Sequence, residues 1–386
     1  MKKIIVSALI LLLLVSCAAQ SPDTGRQETR YDSLFSVVFI NVGKADSILL
    51  SLKDKVYLID TGSEESVPAL YRALAVMGVK KIDGLFLTHT HSDHIGGTEA
   101  LAQKVPVDRV YSAEISTNNK NGKNKIVQLA RKLGLPHTQL VVGDEVAAGD
   151  GIAFKVIAPI VYNDDDDNDN SLVLMIELNG KRFLFTGDLQ FAGELTVLES
   201  GADIRAHVLK VGHHGNPDAT SPAFASAVSP EYAVISTDTR EAKKSANPLV
   251  IANLNPATVL ATQNYVCGVR MDIDADGTIH VIDLRPAQSA ADMEIIGIDT
   301  DKQTITIQNN GDKTDMSGFF IFSQRGSEVF VFPEGSVIDA GQIVTVACTG
   351  GTGDYIWDEK NVWNVKNPDA GILYDSFGNE LSRRQT

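Results

Sequence analysis

The chain has 386 residues, 44% of them hydrophobic, which is enough to bury a large core and to form about two domains, and it excludes disorder as a whole. Its 34 Lys and Arg against 49 Asp and Glu leave a net charge of -15. That balance argues against an unspecialised nucleic-acid binder, whose affinity comes from clustered cations that release counterions, although a metal site could still bind phosphate locally.

Lys2 and Lys3 precede an apolar run from Ile4 to Val15, the charged start and short apolar core of an export signal rather than a full membrane span. Leu14, Val15, Ser16 and Cys17 resemble the lipobox of bacterial lipoproteins. The resemblance implies a signal over residues 1–17, lipidation of Cys17 and an exported, membrane-anchored, extracytoplasmic protein; an ordinary cleaved signal or an uncleaved anchor is the alternative. Residues 18–33 are polar without apolar periodicity and read as a flexible tether. Beyond Cys17 the cysteines are Cys267 and Cys348, which do not make a disulfide framework; they either pair or are buried as small hydrophobes.

From Leu34 to Leu284 strand and helix patterns alternate. Leu34 to Ile40, Ser47 to Leu52 and Val56 to Ile59 read as strands, and Val67, Leu70, Leu74 and Met77 mark one helical face closed by Gly78. Ile82 to Leu87 is a strand that delivers His89. Ser171 to Leu178 and Lys181 to Thr186 flank Asn179 and Gly180, a strong hairpin signal. Strands mixed with helices and joined by hairpins predict a layered α/β (α+β) sandwich over 34–284 rather than a doubly wound sheet. Residues 285–291 form a Pro- and Ser-containing linker, and the short strands beyond it, separated by Asn, Gly, Asp and Pro turns, predict an all-β sandwich over 292–381.

The chemistry concentrates at strand ends. His89, His91, Asp93 and His94 place three imidazoles and a carboxylate within six residues of a chain that has eight His, a donor set suited to zinc, manganese or iron. Gly96 and Gly97 are expected to let the chain turn sharply into the next helix. Asp188 follows the second hairpin arm, and His213 and His214 follow another strand that ends near Lys210.

With Asp60, Thr61 and Gly62 after an early strand, these motifs resemble the metallo-β-lactamase superfamily, whose fold is an αββα sandwich. The string Phe39 to Leu49, Asn170 to Leu174 and the paired His213 and His214 resemble its ComEC-like branch, which includes the extracellular domain of a DNA-uptake channel protein and is similar to phosphorylcholine esterases of cell-wall teichoic acid. The resemblance implies two divalent ions, zinc or manganese. His89 and His91 would bind the first, Asp93 and His94 the second, Asp188 would bridge, and one of His213 and His214 would complete the second while the other touches a substrate oxygen. Asp60 would orient the His loop from behind, or simply form a turn before glycine. Two ions so placed would generate a bridging hydroxide for displacement at a phosphodiester.

Many superfamily members supply a third His to the first ion, but Tyr162 to Ser171 contains none. Asn168, Asp169 or Asn170 could fill the place, the first ion could be held with more water, or the acidic run could be a solvated loop; His137 lies too early. Lys210 could neutralise charge developing beside the ions, or pack along a strand edge. Asp272, Asp274, Asp276 and Asp283 resemble a calcium loop, but their flanks read as strands, which favours a hairpin over calcium.

The tail resembles a lamin-tail domain through Ile305 to Gly311, Met316 to Phe319, Phe332, Pro333, Gly341, Trp357, Val362 to Asn364 and Ile372 to Gly378. Trp357 and Trp363 read as core rather than ligand stackers. The resulting expectation is an extracytoplasmic dinuclear hydrolase of phosphodiesters, acting on nucleic acid or a cell-wall polymer, with the tail as a binding or spacing module for a surface partner. The alternative is a surface adhesion or scaffold lipoprotein whose metal domain is secondary. A β-lactamase proper is disfavoured by the paired His213 and His214 and the missing third His.

Overall fold

The computed structural model describes residues 35–114, 116, 124–326, 328–364 and 369–386, all within the compact unit Asp32–Thr386. The export signal, Cys17 and the tether lie outside the described residues. None of the described helices is long and apolar enough to cross a membrane.

Strands β1 (Phe35–Ile40), β2 (Ile48–Leu52) and β3 (Lys55–Ile59) form an antiparallel meander. Helix α1 (Val67–Val76) crosses to β4 (Gly84–Leu87); α2 (Ser92–Ile95) and α3 (Thr98–Lys104) lead to β5 (Val110–Ala113), and α4 (Lys125–Lys132) leads to β6 (His137–Leu140). From β3 onward these pair in parallel. A second sheet opens with the antiparallel strands β7 (Glu145–Gly149), β8 (Ile152–Ala158), β9 (Val173–Leu178) and β10 (Lys181–Phe185). It continues in parallel: α5 (Phe191–Glu199) precedes β11 (Val208–Lys210), α6 (Pro222–Val228) precedes β12 (Tyr232–Ile235), and α7 (Pro248–Asn253) precedes β13 (Thr258–Ala261). Strands β14 (Gly268–Ile273) and β15 (Ile279–Asp283) return to the first sheet beside β1, giving sheets of eight and seven strands.

β1 shows why the layers stack. It is buried along its whole length because the alternation of side chains sends Phe35, Val37 and Phe39 into the core between the sheets and Val38 and Ile40 into the core beneath α1. Phe86, Phe154, Phe183 and Phe185 fill the same inter-sheet layer, where truncating one aromatic ring to Ala costs about 3–5 kcal/mol. Helices α5, α6 and α7 cover the outer face of the second sheet through Val197, Phe224 and Val250. The architecture is therefore the αββα sandwich expected. The hairpin at Asn179 and Gly180 joins β9 to β10, both residues having positive φ.

Beyond Leu284 the described elements are all strands. Met293–Asp299, Thr304–Asn309, Ile343–Cys348 and Tyr355–Trp357 form one sheet; Val329–Val331, Phe320–Ser323, Ala370–Tyr374 and Glu380–Gln385 form another. Trp357 and Trp363 are buried between them. The second of these sheets has two apolar faces: Ile321, Phe330 and Leu373 point into its own sandwich, whereas Phe320, Phe322, Ile372 and Tyr374 join the core around α1. Tyr71 meets Phe322 edge-on at 5.3 Å between ring centroids, and Arg72 Nε donates to the carbonyl of Gly378. The β-rich tail is thus docked on the back of α1 rather than held off on the 285–291 segment. Cys267 and Cys348 are both buried free thiols.

The calcium-like sequence is the β14–β15 hairpin. Asp272 accepts from Ser36 and Arg270, Asp274 pairs with His280, and Asp276 accepts from the backbone of Thr278. Asp283 sits opposite Val269 at the far end of the pair, so these carboxylates do not converge.

Candidate metal centre

The C-terminal ends of β1, β3, β4, β10, β11 and β12 open on one edge of the two sheets, where side chains escape the strand alternation and meet. Asp60 follows β3, His89 to His94 follow β4, Asp188 follows β10, and His213 and His214 follow β11. Ligand atoms of Asp93, His94, Asp188 and His214 all lie within 4.8 Å of one another. His94 Nε2 is 3.2 Å and His214 Nε2 3.3 Å from the same Asp188 oxygen.

The opposite nitrogens are already spent. His94 Nδ1 donates to Asp60 Oδ2 at 2.7 Å, and His214 Nδ1 donates to the carbonyl of Ser236 at 3.0 Å. Both Nε2 atoms therefore point inward, the arrangement in which a carboxylate or carbonyl behind an imidazole sets its orientation. Asp60 is fully buried and also accepts from Thr88 N and Oγ1, so it ties the end of β3 to the start of the His loop. His89 Nε2 stands 3.1 Å from His91 Nδ1, with His89 Nδ1 backed by Thr88 and Ser171 hydroxyls.

His213 takes a different course. Its Nδ1 pairs with Asp218 at 2.9 Å and Gln190 at 3.2 Å, while Nε2 lies 4.0 Å from Asp188 Oδ2. Both His213 and His214 have left-handed backbones, with φ of 45° and 54°. For non-glycine residues this costs about 1–2 kcal/mol each, and it turns consecutive imidazoles toward one centre. Gly96 and Gly97 form the turn that leads from α2 into α3, as expected, but with φ of -61° and -79° rather than in the left-handed region. Glycine is needed there for close approach: a Cβ on Gly97 would lie 2.4 Å from the carbonyl oxygen of Thr61.

The electrostatics favour a cation. Burial opposes charge on His94, yet Asp188 and Asp60 raise its pKa well above the usual value; Asp188 in turn is held well below the usual carboxylate range by His214 and His94, against its own burial. Nε2 of His94 and of His214 face carboxylate oxygens of Asp188 and Asp93 alone, and Oδ1 of Asp188 is buried without a hydrogen-bond partner. Such inward-facing nitrogen and oxygen donors fit zinc, manganese or iron.

Lys210 lies beneath the centre, beside its carboxylates. Its side chain is 0% exposed, and Nζ donates to the carbonyl of Gly187 at 2.9 Å, pairs with Asp46 and stands 3.8 Å from Asp188 Oδ1, so it balances carboxylates from beneath the centre and does not meet solvent. Asp46 itself, also within 3.6 Å of His214 Nδ1, was not singled out; it lies in the string Phe39 to Leu49 that marks the branch resemblance, and only the fold brings it under the centre. Lys44 was missed in the same way: its Nζ is 2.5 Å from Asp93 Oδ2.

The acidic run is a clamp rather than a solvated loop. Asp167 accepts from Thr90 N and Oγ1, and Asp169 accepts from Gln190 N and Gly193 N at the start of α5. Asn170 bonds Asn163 at both ends of its amide. Of the three residues considered for the third-His position, Asn168 keeps a buried Oδ1 without a partner. His137 lies on β6, bonded to Ser112.

A model of the metallo-beta-lactamase superfamily matches residues 40–239, just over half of the chain. The chain belongs to the metallo-beta-lactamase superfamily. It is similar to ComE operon protein 3 of Bacillus subtilis, 33% identical over 218 residues that cover 52% of this chain and 28% of that protein. It is also similar to competence protein ComA of Neisseria gonorrhoeae, 31% identical over 221 residues that cover 57% of this chain and 29% of the relative. The chain thus spans less than a third of the length of these relatives. Among solved structures it is similar to CmlA, a diiron beta-hydroxylase from Streptomyces venezuelae, at 14% identity and a TM-score of 0.41, covering 58% of this chain and 52% of that one. This metallo-beta-lactamase-fold chain thus pairs competence-protein relatives with residues suited to a dinuclear centre.

Proposed function

We propose that the chain is a dinuclear, metal-dependent phosphodiesterase acting outside the cytoplasm on nucleic acid or a phosphodiester cell-wall polymer. The observation that carries this reading is the convergence of ligand atoms of Asp93, His94, Asp188 and His214 within 4.8 Å of one another, with Nε2 of both imidazoles facing inward. Asp93, His94, His214 and Asp188 would hold one ion, and His89 and His91 with Asp188 the other. Bound there, divalent ions supply Lewis acidity, lowering the pKa of water and polarising a phosphoryl oxygen. The protein's own part is orientation: Asp60 and Ser236 fix the two imidazoles. His213, anchored through Nδ1 by Asp218, presents Nε2 toward the centre, where it can give a proton to a departing alkoxide oxygen. Similarity to competence proteins supports the nucleic-acid arm, and the phosphorylcholine-esterase resemblance the cell-wall arm. Lipid anchoring at Cys17 and a lamin-tail identity for 292–381, with a surface partner, belong to the same proposal.

The test is elemental analysis of the protein, followed by assay of the metal-loaded form on bis(p-nitrophenyl) phosphate, p-nitrophenyl phosphorylcholine, DNA and nitrocefin. We expect hydrolysis of a phosphodiester and its loss, together with metal, in Asp188→Ala. Turnover of nitrocefin alone, or a wild type as metal-poor and inactive as Asp188→Ala, would overturn the reading.

A further inference from the structure

Among the described residues two lysines approach the metal centre, and their surroundings assign them different work. Lys210 is sealed beneath it, out of reach of solvent, with its ammonium set against Asp46, Asp188 and the carbonyl of Gly187. Lys44 comes from the opposite side, on the loop that follows β1. Its Nζ lies 2.5 Å from Asp93 Oδ2, and its side chain is 30% exposed, as Asp93 is 21% exposed. The same Asp93 oxygen is 3.4 Å from His214 Nε2, so the ammonium stands one carboxylate oxygen away from the donor cluster and on its water-facing side. An ammonium has three N–H donors on a flexible stem, and Asp93 takes one of them.

We propose that Lys44 is the anion-recognising residue of this site, its ammonium donating to a non-bridging phosphoryl oxygen of a substrate held at the metal centre. The assignment of the substrate oxygen rests on the phosphodiesterase reading; the placement of a free cationic face at the centre does not. The charge arithmetic of the chain makes the residue matter. A protein of net charge -15 repels a polyanion, and the centre itself collects Asp46, Asp60, Asp93 and Asp188. Asp46 and Asp188 are met by Lys210 from below, and among the described residues Lys44 is the cation that this cluster offers toward solvent. A purely structural role, neutralising Asp93, makes a different forecast. Loss of the lysine would then change metal binding and leave phosphate binding to the loaded protein alone.

The experiment titrates inorganic phosphate into the metal-loaded full chain by calorimetry, for wild type, Lys44→Met, Lys44→Gln and Lys44→Arg, with metal content measured on the same samples. We expect phosphate affinity to fall at least about tenfold in Lys44→Met and Lys44→Gln, as for loss of one charge-assisted hydrogen bond, and to recover most of the way in Lys44→Arg. Metal content should match wild type in all four. Unchanged phosphate affinity in the Met and Gln variants, or a fall matched by lost metal, overturns the proposal. A wild type that hydrolyses no phosphodiester, with phosphate binding still dependent on Lys44, would instead sink the phosphodiesterase reading alone. Diester hydrolysis with Lys44-independent phosphate binding would do the reverse.

Discussion

Lys210 and Asp46 form an ion pair with both side chains removed from water, 0% and 2% exposed, directly behind the imidazoles that line the metal centre. Breaking such a pair from one side leaves an uncompensated buried charge, which costs about 3–5 kcal/mol, whereas removing both partners costs much less. Lys210→Met and Asp46→Asn are each expected to lower stability by that amount, and the double variant by clearly less than the sum. Chemical denaturation of the four proteins measures the coupling; additive effects would show that the pair is not coupled.

Asp60 governs His94 without facing the open centre. Replacing it by Asn keeps the size but removes the charged acceptor for Nδ1, and loss of such a backing carboxylate weakens metal binding by about 10–100-fold. Competition with a chromophoric chelator should show that drop in Asp60→Asn. Wild-type affinity in this variant would mean that Asp60 only shapes the turn before Gly62.

The acidic loop separates into residues that hold structure and one that does not. Asp169→Ala removes an acceptor for two backbone N–H groups at the start of α5 and is expected to cost about 1–2 kcal/mol, read from denaturant midpoints. Asn168 Oδ1 accepts no hydrogen bond, so the stability of Asn168→Ala should stay within about 0.5 kcal/mol of wild type while its metal content falls. Equal metal content would remove Asn168 as the substitute for a third His.

The docked tail predicts cooperative unfolding. Tyr71→Ala empties the contact with Phe320 and Phe322 and should destabilise the protein by about 3–5 kcal/mol. Because α1 belongs to the core beneath β1 as well, circular dichroism and intrinsic fluorescence of Trp357 and Trp363 should report one transition, shifted together. Two separate transitions, with only the later one moved, would show that the β-rich tail folds independently of α1.

Much of this molecule was legible because its informative features are local. Alternating apolar residues gave the strands, Asn179 and Gly180 the hairpin, and the grouping of His89, His91, Asp93 and His94 a metal-binding donor set, since such residues stand at strand ends for chemical reasons visible one residue at a time. Even the calcium-like pattern reads as a hairpin, because its flanks alternate, and β14 and β15 pair as one.

Other features depend on burial and distance, which a linear pattern does not contain. Lys210 ends a strand, and its neighbours look like those of a catalytic lysine; only the closing of two sheets over it shows that it pairs with Asp46 and meets no solvent. Lys44 reads as an ordinary surface cation until β1 carries it to Asp93. The runs at Phe320 to Phe322 and Ile372 to Tyr374 are apolar on both faces, and the reason is α1, far away in the chain. The residue types and their strand-end placement belong to the sequence alone. Which lysine faces water, which histidine nitrogen faces inward and what the tail rests on were decided by tertiary packing, because each is set by neighbours that long-range contacts supply.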